Sequence, residues 1–267
     1  MSYSLLVVCE APGDFALAER LIDRTIQEHG PEWCRGDLDS GREYFGIHTQ
    51  MADPTERYVR WKNLEAVTVH AAGGDNGKVR RLQLSIDQFG DSFPPNEEAR
   101  TFLRFVRVVQ TSDQVRQPDA FVLLRDTDSK DRTGLRSLNA HPQFKRFPAV
   151  VGVPDPETEC WLLVGFLHEA TEPETRLVEQ LQRQLGVHPC RDTHRLRAAN
   201  EGDDRHPKRV LALLTSEDAG RVAQCLEAPF DLLRTHGGEN GLAEFLDQLQ
   251  CRLIPGLYGG SASNPAA

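Results

Sequence analysis

The chain has 267 residues, 39% of them hydrophobic and 27% charged, and a net charge of −9 at pH 7. This is the composition of a soluble globular protein, and the length suits one large domain or one domain with a substantial extension. The acidic balance argues against holding nucleic acid by bulk electrostatics alone. No apolar run approaches a bilayer span or follows a charged leader, so a cytoplasmic protein without membrane association is expected.

In chain order, residues 4–9 read as a buried strand, and Gly13 to about His29 as a helix with Phe15, Leu17, Ala18, Leu21, Ile22 and Ile26 on its apolar side. Residues 30–63 form an insertion of weak periodicity, in which Trp33, Tyr44, Phe45 and Trp61 are available for packing. Leu64–His70 and Lys78–Ile86 look like strands around the turn Gly73-Gly74-Asp75-Asn76-Gly77. A helix is expected from about Asn96 to Gln110. Ala120–Leu124 and Ala149–Val153 are continuous apolar strands of the kind covered on both faces, the second leading into a helix near Glu157–His168.

From about residue 171 the pattern becomes helical: 173–185, 207–214, 216–226 with a start at Thr215-Ser216-Glu217-Asp218, and 240–253. The fold class expected is therefore α/β: a mostly parallel, Rossmann-like sheet with helices on both faces, plus a C-terminal helical extension. The domains would be 1–170, with the insertion around 30–63, and 171–256 packed on the first, ahead of a disordered tail at 257–267.

Three strands each end in acids. Glu10 and Asp14 follow the first, Asp126 and Asp128 follow 120–124, and Glu157 or Glu159 follows 149–153. Ligands of open α/β sheets bind beyond the carboxyl ends of the strands. Hard carboxylate oxygens suit Mg2+ or Mn2+, and crowded carboxylates favour a bound cation. In Asp126-Thr127-Asp128, alternate residues can project to the same side of an extended strand end. No G-x-S-x-G elbow, H-E-x-x-H or Walker glycine loop is present. Cys9, Cys34, Cys160, Cys190, Cys225 and Cys251 include no C-x-x-C pair and are expected to be thiols.

Glu10-Ala11-Pro12-Gly13-Asp14 after an apolar strand, with Asp126-Thr127-Asp128 later, resembles the TOPRIM domain of topoisomerases, bacterial primases and OLD-family nucleases. The family usually has glycine where Ala11 stands. Glu159-Cys160-Trp161-Leu162-Leu163 is similar to the E-x-W-L-L segment of small stand-alone bacterial TOPRIM-like proteins, and His206-Pro207-Lys208 to a P-K motif late in those chains. The resemblance implies Glu10 as metal ligand or general acid/base, Asp126 and Asp128 as magnesium ligands, and Asp14 and Glu159 as supporting or second-metal carboxylates. It implies Lys208 as the group that stabilises charge on the transferring phosphate.

Each role has a plainer rival. Asp14 can simply favour its helix N-terminus. Glu157 competes with Glu159, and Lys208 can be a solvated first-turn lysine. Arg191, Arg195, Arg197, Arg205 and Arg209 form a phosphate track or a mixed-charge loop, interrupted as they are by Asp192, Glu201, Asp203 and Asp204. Lys78, Arg80 and Arg81 form a smaller basic group.

The expectation is a metal-dependent phosphodiester hydrolase acting on DNA or RNA. The resemblance suggests a setting in defence against phage or mobile elements, with an ATPase or other defence partner or a second copy of the chain. The alternatives are a non-catalytic metal- or phosphate-binding subunit and a small-molecule phosphoesterase.

Overall fold

A computed structural model describes residues 2–47, 55–74, 96–127, 133–141, 144, 148–198 and 200–258. Two compact units interleave along the chain. One takes Met1–Leu124, Arg132–Val151 and Gln248–Ala267, the other Arg125–Asp131 and Gly152–Asp247.

The first unit is built on strand β1 (Tyr3–Cys9), whose residues Leu5 to Cys9 are wholly buried. An unbroken apolar run of this kind needs cover on both faces and a hydrogen-bonded partner on each edge. Strand β2 (Arg42–Tyr44) and strand β3 (Val59–Arg60) both pair with it in parallel, as Tyr3↔Arg42 and Val8↔Val59. Strand β4 (Ala120–Leu124) does the same, from Leu5↔Ala120 to Val8↔Leu123. With β5 (Ala149–Gly152) the sheet has five strands among the described residues and runs β2-β1-β4-β5, with β3 pairing β1 off that path. The α/β class and the mostly parallel sheet thus agree with the sequence pattern, as does the helical C-terminal region.

Helix α1 (Pro12–His29) buries the expected stripe from Phe15 to Ile26. On the same helix Asp23 is also buried. Arg42 Nε donates to it at 2.7 Å and the Tyr44 hydroxyl at 2.9 Å, joining the helix to β2 by a charge-assisted bond. Ser4 ties the start of β1 to the chain entering β4: its amide and hydroxyl donate to Asp119 Oδ2 at 2.7 and 2.8 Å.

Leu64–His70, expected as a strand, is helix α2 (Leu64–Ala71). Its buried residues Leu64, Val67, Thr68 and Ala71 follow the spacing of one helical face. The β-branched Val67, Thr68 and Val69 made it look extended, but packing against helix α3 (Glu97–Gln110) overrides that propensity. Asn96 caps α3 by accepting from the Glu98 and Ala99 amides. The expected strand Lys78–Ile86, with Arg80 and Arg81, lies outside the described residues.

The second unit packs around α4 (Glu159–Gly165). Leu163 and Phe166 join Val178, Leu181 and Leu185 of α5 (Glu172–Leu185) and Val210, Leu211 and Leu214 of α6 (Pro207–Thr215) in one core. Gly165 makes this packing possible, because a Cβ there would sit 1.9 Å from the Cys225 carbonyl oxygen.

The expected helix 216–226 is shorter. Ser216 and Glu217 adopt φ of 52° and 58°, ending α6, and Asp218 then caps α7 (Ala219–Cys225) by accepting from the Arg221 amide at 2.8 Å. Helix α8 (Phe230–His236) was not expected, and α9 (Leu242–Gln248) continues through a π-helical stretch at Leu249–Leu253. Leu257, placed in the tail by sequence, is buried within the final helical turn Ile254–Tyr258. Residues 259–267 lie outside the described residues.

Asn240 joins the loops of the second unit. Its carbonyl accepts from the Asp155 amide at 3.0 Å and Trp161 Nε1 at 2.9 Å. Its side-chain nitrogen donates to the Cys160 carbonyl and to Thr193 Oγ1, and its side-chain oxygen accepts from the Leu242 amide.

Gly165→Ala should lower unfolding free energy by roughly 1–3 kcal/mol through overpacking. Gly13→Ala, with nothing within 4 Å of the added Cβ, should be neutral or slightly stabilising, both variants being measured by urea titration.

Candidate active site on the β4 and β5 loops

The acids of the second unit lie on the two loops that leave β4 and β5. The ladder between these strands continues past their ends: the Arg125 amide donates to the Gly152 carbonyl at 3.1 Å and the Thr127 amide to Pro154 at 2.9 Å. An extended segment alternates its side chains. Thr127 is buried at 4% exposure, while Asp126 before it is half-buried. Thr127 Oγ1 lies 3.0 Å from Asp155 Oδ1 and 3.1 Å from the Pro156 carbonyl oxygen. Arg197 Nη2 donates to both Asp155 oxygens at 3.0 Å. Glu157 follows in the loop, and Glu159 is the first residue of α4.

Helix α6 brings in Lys208. Pro207 sets the first helical residue and His206 precedes it as N-cap. The His206 ring is 5% exposed, with Nε2 3.5 Å from Glu157 Oε1. Lys208 Nζ is 3.7 Å from Glu201 Oε1 and its side chain is half exposed. Burial works against its charge, but Glu159, Glu157, Glu201 and Asp126 outweigh that cost and hold the ammonium above the ordinary lysine range. Burial pushes the neighbouring Cys160 thiol well up, and Glu159, Glu157 and Asp126 add to it, so Cys160 is not a poised nucleophile.

Asp126, Glu159 and Lys208, far apart in sequence, therefore share one electrostatic environment. Glu157, the rival of Glu159, belongs to it too and also faces His206. Asp128 lies outside the described residues. Glu10 and Asp14 belong to the first unit. Glu10 is half-buried directly after β1. Asp14, third residue of α1, accepts from the Ala11 amide at 3.0 Å, the contact expected of a carboxylate at a helix N-terminus.

Among the described residues, no three His, Cys, Asp or Glu side chains converge closely enough to hold a metal ion. Magnesium and manganese need only one or two carboxylates, with water and substrate oxygens completing the shell. Asp126 and Glu159 fit that donor class.

The arginine track is largely committed within the chain. Arg197 binds Asp155, Arg205 donates to the Leu185 carbonyl at 2.7 Å, and Arg209 pairs with Asp204 at 3.0 Å. Arg191 and Arg195 are exposed. Sequence reasoning passed over Thr127 and Asp155, and it took His206, beside Lys208, for a lone exposed histidine, whereas the ring is buried against Glu157. The alternation within Asp126-Thr127-Asp128 was the available signal for Thr127.

A lysine whose folded-state value stands above the unfolded one, about 10.4, contributes stability that is fully present below that pH. The contribution is lost as pH rises through the folded value. The wild-type minus Lys208→Met difference in unfolding free energy should be flat from about pH 7 to 10 and shrink above it. A difference that instead grows with alkali would mean that burial outweighs the carboxylates. No protein-family model matches the chain, and neither the curated proteins nor the solved structures contain a match.

Proposed function

We propose that the chain is a metal-dependent phosphodiester hydrolase of TOPRIM type acting on DNA or RNA. The observation that carries this reading is the start of α6, where His206 Nε2 lies 3.5 Å from Glu157 Oε1 and the next turn presents Lys208 to the loop acids Asp126, Glu157 and Glu159, whose charges favour its ammonium. A cation flanked by carboxylates on two strand-end loops is the charge pattern that phosphoryl chemistry uses.

Asp126 and Glu159, with Asp128, would hold Mg2+ or Mn2+. A bound ion would supply polarisation of the phosphate and acidification of water. Lys208 neutralises charge on the phosphate oxygens, and its half-exposed side chain can reach a bound ester. Glu157 and His206 hold the start of α6 against the β5 loop, so Lys208 is presented from a fixed helix end. The part of Glu10 as ligand or general acid/base, and of Asp14 as a supporting carboxylate, rests on the motif resemblance. With net charge −9 and a committed arginine track, a partner protein, an ATPase among them, would present the polymer.

That same commitment of Arg197, Arg205 and Arg209 favours a second reading, hydrolysis of a small phosphate ester rather than a polymer.

Purified protein incubated with supercoiled plasmid, single-stranded DNA and RNA should cleave at least one of them with Mg2+ or Mn2+. Asp126→Ala/Asp128→Ala should lose on the order of 100-fold or more, and Lys208→Gln should lower kcat more than it raises KM. Cleavage of a nucleotide ester in preference to every polymer would select the second reading. No metal-dependent cleavage of the polymers or of the nucleotide ester by folded protein would overturn hydrolysis by the chain alone and favour a partner-activated enzyme or a non-catalytic binding subunit.

A further inference from the structure

Thr127 is read from sequence as the spacer of the D-x-D motif, yet both its amide and its hydroxyl are engaged. Its amide donates to Pro154, and its buried hydroxyl sits between Asp155 Oδ1 and the Pro156 carbonyl. Asp155 is held in turn by its own amide, which donates to Asn240, and by Arg197 on both carboxylate oxygens. Burying a hydroxyl against a charged pair carries a desolvation cost that the backbone bond alone would avoid. What the arrangement achieves is a fixed peptide plane directly after Asp126.

Resting on the hydrolase reading above, we propose that Thr127, Asp155 and Arg197 are positioning residues that set the Asp126 carboxylate in the site. Thr127 clamps the backbone beside Asp126, Asp155 receives the clamp, and Arg197 neutralises Asp155 so that it does not compete for the cation. Arg197, on the phosphate track by sequence, acts instead through Asp155 and Thr127. Groups that hold a metal-binding carboxylate in place typically cost 10–100-fold when removed, roughly the effect expected here.

The test compares Thr127→Val, which keeps the shape and removes the hydroxyl, with Thr127→Ser, which keeps the hydroxyl. Arg197→Ala and the Thr127→Val/Arg197→Ala double variant complete the set. Thr127→Val and Arg197→Ala should each lose about 10–100-fold in kcat, with Thr127→Ser close to wild type. The double variant should be no worse than the poorer single, because both act on one carboxylate. Crystal structures should show the Asp126 carboxylate displaced in Thr127→Val and Arg197→Ala and unmoved in Thr127→Ser. If Thr127→Val does not fold, Arg197→Ala, at an exposed side chain, carries both measurements.

An Asp126 that superposes on wild type in the variants overturns the inference whatever the rates. So do multiplicative losses, or a Thr127→Val that cleaves like wild type. A wild type that cleaves nothing overturns the hydrolase reading alone, and the displacement of Asp126 still decides the positioning role.

Discussion

The first unit depends on the burial of β1. A strand with no exposed side chain from Leu5 to Cys9 leaves its backbone amides and carbonyls with nowhere to go but neighbouring strands. All three neighbours with a described register, β2, β3 and β4, run parallel to it. Parallel pairing carries a topological consequence, because each strand must return through a crossover and every carboxyl end then faces the same way. Acids placed directly after such strands are therefore placed by the same rule that buries the strands.

In the second unit, order comes from polar groups with no slack. Asn240 is buried at 1% exposure, and both its backbone carbonyl and its side chain are engaged. It holds the Asp155 loop, α4 and the turn at Thr193 together. A buried amide with partners for its hydrogen-bonding groups specifies one arrangement, because any other leaves donors or acceptors unpaired at about 1–3 kcal/mol each. The loop that carries Glu157, and the start of α4 at Glu159, inherit this precision, and Thr127 passes it to Asp126. The site's electrostatics follow: the Lys208 ammonium stays charged beside carboxylates that would otherwise repel one another.

The strands 4–9, 120–124 and 149–153, and the helices beginning near 13, 97, 172 and 207, were legible because each is a continuous apolar run or a clean helical stripe. Leu64–Ala71 was misread because its β-branched residues satisfy a strand pattern over so short a window, and only its packing against α3 separates the two. The break at Ser216–Glu217 was invisible because left-handed backbone at a non-glycine residue leaves no compositional mark. Among site residues, the acids and Lys208 stood out by type and spacing. Thr127, Asp155 and His206 did not, because their importance lies in what they touch.

By itself the sequence determined where the buried strands lie, which acids close them, and that the chain folds as α/β with a helical C-terminal part. These follow from local hydrophobic continuity, which needs no knowledge of distant residues. Only the tertiary structure decided that Lys208 lies in the field of Asp126, Glu157 and Glu159, that Arg197 pairs with Asp155, and that Asp14 accepts from the Ala11 amide. Each of those is a pairing of groups whose partner is chosen by packing rather than by sequence distance. A side chain's charge is written in the sequence, but the field it sits in is summed over neighbours that only the fold brings near.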